Sequence, residues 1–297
     1  MTETQDKTAV TSALAVLLVA LAAVSHGSIF VRLADAHPFV VSAFRVGTAA
    51  AIVVPLALAL RWREFRLLDR KALGYSLAAG TFLALHFATW IASLNHTSIA
   101  NSTVLVTLNP VWIALATALI TRKRPGRMVV FSIGLSLTGC MVIAWGSSSG
   151  KGATSLFGDG LALLGGICAA GYLMLGRLAR GRGISLLSYI ALCYGSAAVL
   201  LWALVLGMGL PVIGFDPVTY QAMIAMGVIS QVIGHSGYNW GLKLFNPGFI
   251  ALCLLGEPIL ASVLGLIYFG EAIPPATVAA APLILSGIYL GARVELK

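Results

Sequence analysis

Charge is the scarcest thing in this sequence. Only 10% of its 297 residues are charged and only ten are acidic, against 59% that are hydrophobic, and the mean hydropathy is +0.95. Polar runs are confined to the first seven residues and to short connections, which excludes a soluble domain of useful size. Cysteine is also rare. Cys140, Cys168, Cys193 and Cys253 all fall inside apolar segments and form no CxxC pair, which argues against a disulfide framework or a zinc site and for small packing residues. A glycine-rich phosphate loop, a cluster of metal ligands and a nucleophile-base pattern are missing as well, so neither ATP-driven pumping by this chain alone nor a cofactor or metal is expected.

What remains is long apolar segments. Runs bounded by charge, Gly/Pro or Asn give ten spans, at roughly 9 to 31, 38 to 60, 72 to 94, 99 to 121, 129 to 146, 158 to 178, 184 to 206, 219 to 242, 247 to 269 and 276 to 292. The apolar run after Lys7 is too long for a signal-peptide core and is expected to be a retained first span. The net charge of +9 does not imply a nucleic-acid partner, because the cations sit in short loops between spans. Placing the N-terminus inside puts Lys7, Arg61, Arg63, Arg66, Arg70, Lys71, Arg122, Lys123, Arg124, Arg127, Arg177, Arg180, Arg182, Lys243, Arg293 and Lys297 on the inner side, sixteen of the nineteen Lys and Arg. Only Arg32 and Lys151 fall outside, and Arg45 lies within the second span. Such an asymmetry predicts that both termini are cytoplasmic and that the number of crossings is even.

Two spans carry a polar-proline pair near their middle: Asn109-Pro110 in the fourth and Glu257-Pro258 in the ninth, 148 residues apart. A carboxylate at the centre of a bilayer costs about 2.5 to 3.5 kcal/mol on insertion scales, so it faces a partner or a water-filled cavity. Proline also lacks the amide that would bond the carbonyl one turn earlier, which exposes backbone at that depth. The same offset places Trp90 on Tyr238, Leu94 on Leu242 and Gly139 on Gly287, and Arg32-Leu33-Ala34 echoes Arg177-Leu178-Ala179 at an offset of 145. The chain therefore reads as two five-span repeats, 1–150 and 151–297. Five crossings per half make the halves run in opposite directions, an all-α integral membrane architecture of inverted repeats whose site is expected near the midplane between them.

Polar and aromatic residues within the spans are the candidates for that site. On the third span His86 and Trp90 are four apart, with Phe82 and Tyr75 continuing the stripe. On the eighth, Gln231, His235 and Asn239 repeat every four, with Tyr238 beside them. Each set shares one helix face. A cavity is expected with aromatic walls from Trp90 and Tyr238, hydrogen-bonding groups from His86, Gln231, His235 and Asn239, and polar breaks from Asn109 and Glu257. Such a pocket suits an amphipathic small molecule with a flat apolar part. The competing reading makes these histidines and amides glue between helices.

Glu257 has three readings: a proton-coupling carboxylate, a counter-charge to a substrate amine, or a structural acid bonded to frayed backbone. Arg45 is too deep to snorkel freely; it receives a substrate carboxylate, pairs with Glu257, or is held by helix-end carbonyls. His26, Asn101 and Tyr172 are weaker candidates for the rim or floor. Pro110 and Pro258 are candidate hinges. Gly287 and Gly291 form a small-xxx-small pair expected to pack within the chain, which is a monomer or a homodimer.

FRVGTAAA in the second span, SLNHTSIANSTVLVTLNPVWIAL across the third and fourth, and GEPILASVLGLIYFGEAI in the ninth resemble the EamA-type drug/metabolite transporter superfamily of bacteria. The resemblance covers nearly the whole chain and is greatest to bacterial exporters of aromatic amino acids. It implies a secondary transporter of the inner membrane that exports aromatic or large hydrophobic amino acids by alternating access. Export of other metabolites or of cationic drugs is the alternative within the superfamily. An intramembrane enzyme using His86, His235 and Glu257 is the alternative of another class.

Overall fold

The computed structural model describes residues 3–94, 96–97, 99–147 and 155–296. Helix α1 (Glu3–Leu33) is followed by α2 (Pro38–Arg66), which departs from helical dihedrals at Arg61, and by α3 (Arg70–Ser93). The fourth span is split into α4 (Ile99–Val106) and α5 (Asn109–Thr121), after which α6 (Arg127–Ser147) closes the first half. The second half opens with α7 (Leu156–Gly181) and α8 (Leu186–Gly207). It continues through α9 (Pro217–Ala225), a π-helical segment (Met226–His235) and α10 (Ser236–Gly241). The ninth span is split into α11 (Pro247–Leu254) and α12 (Glu257–Phe269), and α13 (Pro275–Glu295) ends the chain.

Helix starts follow local chemistry. Asp69, Ser155, Ser185, Asp216 and Asn246 each accept a hydrogen bond from a backbone amide of the turn they open, a contribution of about 1 kcal/mol apiece. Among the described residues nine helices are long and apolar enough to cross a membrane. Nine of the expected spans have their counterparts there. The expected eighth span is the divided one, because its middle is π-helical: the Ser236 amide reaches back to the Gln231 carbonyl, five residues earlier.

The two breaks keep the repeat offset to the residue. Residues 107–108 and 255–256 interrupt the helices, α5 and α12 both begin on the polar-proline pair, and both end on a left-handed residue, Arg122 (φ 57°) and Gly270 (φ 67°). Packing repeats too. α3 lies along α7 as the π-helical segment lies along α1, and α5 meets α7 as α12 meets α1, while α2 with α8 and α6 with α13 pair across the halves.

The α6–α13 crossing carries the symmetry in single atoms. Ser136 Oγ donates to the Ile284 carbonyl, its own repeat partner, at 3.2 Å. A Cβ on Gly139 would lie 3.0 Å from the Ala280 carbonyl, and one on Gly287 would lie 2.7 Å from the Ser132 carbonyl. Each glycine thus admits the partner backbone at the position where the other does, as a two-fold relation demands. Gly291 likewise packs on Leu252 within the chain, and all four cysteines are buried free thiols.

Candidate functional site

A central cavity lies where the breaks of the two halves meet α3, α7 and the π-helical segment. It encloses about 750 Å³ of unfilled space, counted to its open mouth. Asn109 and Glu257 contribute from the breaks, Arg45 from α2, His86 and Trp90 from α3, and His235 and Tyr238 from either side of the π-helical segment's end. Seven of the nine residues expected at the site therefore share one cavity. Tyr172, expected at the rim or floor, is in its wall as well.

Gln231 and Asn239 are not in the lining. A π turn takes up an extra residue, so positions four apart no longer share a face, and the regular α-helical spacing used to group them with His235 does not hold. Gln231 lies behind the cavity, where its Oε1 accepts from Arg45 Nε at 3.0 Å. Asn239 is the centre of a buried network: Tyr172 donates to its Oδ1 at 2.8 Å and its Nδ2 donates to Tyr194 at 3.1 Å. These two residues position cavity groups from outside. On α3, Phe82 lies against Gly171 of α7 and Tyr75 packs on the core, so neither continues the cavity wall. His26 turns back to the Ala22 carbonyl and stacks edge-on against Tyr268, away from the cavity. The side chain of Asn101 lies outside the described residues.

The cavity groups differ in how they are held. His86 Nδ1 donates to the Gly165 carbonyl at 2.9 Å, and its ring stacks on Trp90 with centroids 5.9 Å apart and planes 7° from parallel. Phe87 and Tyr172 flank His235 at 5.6 and 5.9 Å, and the Arg45 guanidinium sits 4.2 Å above the Phe87 ring. Glycine on the π-helical segment makes Arg45's placement available: a Cβ on Gly227 would meet the Arg45 carbonyl at 2.9 Å. Four cavity side chains have buried polar atoms with no hydrogen-bond partner among the described residues, namely Trp90 Nε1, Asn109 Oδ1, His235 Nδ1 and Tyr238 Oη. An unmet buried group costs about 1 to 3 kcal/mol. All four side chains belong to the lining of the cavity, whose walls combine polar groups with flat aromatic area.

Two kinds of observation now agree, the duplicated helical architecture and a central polar-aromatic cavity. The family model for EamA-like transporters matches residues 13–145 and again 156–292.

The chain belongs to the EamA-like transporter family.

An uncharacterized transporter of Archaeoglobus fulgidus is 25% identical over 278 residues, covering 93% of this chain and 95% of its own length. A second uncharacterized transporter of the same organism is 26% identical over 197 residues, covering 65% and 67%. A solved crystal structure shares the fold with a TM-score of 0.79 at 18% identity, covering 96% of this chain and 98% of that one. This EamA-like protein is thus a multi-pass, all-helical membrane transporter built of two repeats.

Two features of its site escaped the sequence reading. Phe87 lies beside His86 but off the four-residue stripe, and its role under Arg45 depends on an α2–α3 contact across 42 positions of chain. Tyr194, which bonds Ser236 at 3.1 Å as well as Asn239, looks in sequence like one more aromatic in an apolar span.

Proposed function

We propose that this EamA-like transporter is a secondary exporter of small amphipathic metabolites, specifically aromatic or large hydrophobic amino acids. The observation that carries the reading is that Trp90, Asn109, His235 and Tyr238, each with a buried polar atom that has no hydrogen-bond partner among the described residues, line one cavity with aromatic walls. In this reading Trp90 and Tyr238 grip a flat side chain, His86 and His235 offer ring nitrogens to polar substrate atoms, and Gln231 and Asn239 hold Arg45 and Tyr172 in place from behind.

The chain crosses the bacterial inner membrane ten times with both termini cytoplasmic. The divided stretch Pro217–Gly241 supplies the tenth crossing, and the loop cations set the orientation. Halves 1–150 and 151–297 are inverted relative to each other, in keeping with the two-fold contacts between α6 and α13. Transport is by alternating access: helices from the two halves rock around the cavity, with the interruptions before Pro110 and Pro258 as flexible points. A monomer is sufficient for the scheme, because every group it uses belongs to one chain.

Counterflow in liposomes containing the purified protein tests this. Labelled phenylalanine and tryptophan are compared with a small polar amino acid and a cationic drug, with and without an imposed pH gradient. Saturable movement of the aromatic amino acids is the expected result, and the gradient comparison separates facilitated from proton-coupled export. Movement of the cationic drug alone would replace the amino-acid reading with that of a drug exporter.

A further inference from the structure

Arg45 and Glu257 are opposite charges in the same cavity that feel each other's field without closing a hydrogen bond or an ion pair. Arg45 is 3% exposed, and of its donors only Nε is engaged, by Gln231. Its two Nη groups make no hydrogen bond among the described residues. The Phe87 ring beneath it supports the cation without consuming those donors. Glu257, at the first position of α12, accepts no hydrogen bond among the described residues. No ion pair within 4.0 Å joins it to Arg45.

Charges placed so deep are expensive unless each is met by a counter-charge or by strong hydrogen bonds. Direct pairing would be the ordinary solution, and the structure does not adopt it. Other cations do not solve the problem for Glu257: the ion pairs among the described residues, Arg32 with Glu271 and Arg182 with Asp69, belong to loop ends. The histidines of the cavity are committed elsewhere in part, His86 to the Gly165 carbonyl and His235 to its aromatic neighbours. A cavity holding a guanidinium with free Nη donors and a carboxylate with no hydrogen-bond partner among the described residues is complementary to a ligand that brings both opposite charges on one small frame.

We infer that Arg45 and Glu257 form a separated charge pair that selects zwitterions. Arg45 receives the carboxylate through its free Nη donors, and Glu257 receives the ammonium. The aromatic wall of Trp90 and Tyr238 takes the side chain. This rests on the amino-acid exporter reading above and adds to it the rule by which the cavity accepts an α-amino acid and rejects amines and carboxylic acids of the same shape. The rule also explains why the two charges are kept apart, since a closed Arg45–Glu257 pair would have to be broken before each binding event.

Competition against labelled phenylalanine counterflow, with the full-length protein in liposomes, tests the inference. The competitors are phenylalanine, phenylalanine amide, which lacks the carboxylate, and 3-phenylpropionate, which lacks the ammonium. In the wild type phenylalanine is expected to compete at least about tenfold better than either analogue. Arg45→Gln is expected to erase the advantage over the amide while retaining that over phenylpropionate, and Glu257→Gln to do the reverse. Ratios between competitors do not depend on how much protein is active, so partial misfolding does not mimic the result, and Arg45→Lys and Glu257→Asp, which keep the charges, are expected to keep the wild-type order of competitors. Equal competition by all three compounds in a wild type that still moves phenylalanine would overturn the charge pair and leave the exporter reading standing. The charge pair is likewise overturned if both neutral variants weaken all three competitors alike. A wild type that moves no aromatic amino acid removes the exporter reading and this inference with it.

Discussion

The two breaks in the helices are built alike and equipped differently. Both interrupt a span at the same repeat position and restart it on a polar-proline pair, and both end on a left-handed residue thirteen positions after the first residue of that pair. Yet one presents Asn109, buried with an Oδ1 that has no partner among the described residues, and the other presents the carboxylate of Glu257. Beyond the left-handed residue the contrast continues. The second half has Glu271, paired through both oxygens with Arg32 of α1 at 2.6 and 2.9 Å, where the first half has the cation Lys123. Backbone geometry has been kept by proline and offset while the side chains have diverged, so the scaffold is symmetric and its chemistry is not.

The largest effect should come from erasing that asymmetry. Glu257→Asn makes the second break resemble the first and removes a charged partner worth about 1.5 to 3 kcal/mol, so phenylalanine counterflow should fall by roughly tenfold or more. Asn109→Ala removes a neutral acceptor worth about 0.5 to 1.5 kcal/mol and should cost only about two- to tenfold. Equal losses at the two breaks would mean that Glu257 acts as a neutral structural group.

Next in size are the repeat partners Trp90 and Tyr238. Truncating either to alanine removes aromatic contact worth about 0.5 to 1.5 kcal/mol beyond its area, so counterflow of aromatic amino acids per folded protein should drop several-fold. Tyr238 is 1% exposed, so its truncation also leaves a cavity that lowers the unfolding temperature. Unchanged transport in both variants would remove them from the pocket. The α6–α13 crossing offers a sharper test of symmetry. Gly139→Ala and Gly287→Ala each force a methyl against the partner helix, overpacking that costs about 1 to 3 kcal/mol. Both should lower the unfolding temperature, and a loss confined to one of them would contradict the two-fold contact.

The smallest effect concerns the loop-end ion pairs. The hydrogen bond from Arg182 holds the Asp69 carboxyl below the usual carboxylate range, and that from Arg32 does the same for Glu271. A lowered folded-state value means that the stabilisation is present above the ordinary range, near about pH 4, and is lost as pH falls through the lowered values. Asp69→Asn and Glu271→Gln should therefore lower stability slightly at pH 7, flatten the acid limb of a stability profile, and converge with the wild type at pH below the lowered values. Both groups are exposed, so the change should be slight.

Much of this was legible in the sequence because a bilayer restricts what a chain can do. Apolar length gave the spans, and proline beside a polar residue gave both breaks to the residue. Arg45, His86, Trp90, Asn109, His235, Tyr238 and Glu257 could be grouped because they are polar or aromatic where lipid-facing residues are not. Gln231 and Asn239 were misgrouped for an equally physical reason: helical spacing was counted at the α period, and nothing in MGVISQVIGH announces a π turn. Phe87 was missed because its value is an interaction with a distant cation rather than a property of its own stretch.

The most direct test of the central claim, that substrate occupies the cavity between the breaks, is protection of a single cysteine. Thr107 lines the cavity at the first break, and Thr107→Cys can be placed in a background with Cys140, Cys168, Cys193 and Cys253 replaced by alanine. Phenylalanine should slow maleimide labelling at that position, with the half-effect at the concentration that half-saturates counterflow. A variant that transports phenylalanine yet labels at the same rate with and without it would show that the substrate takes another path.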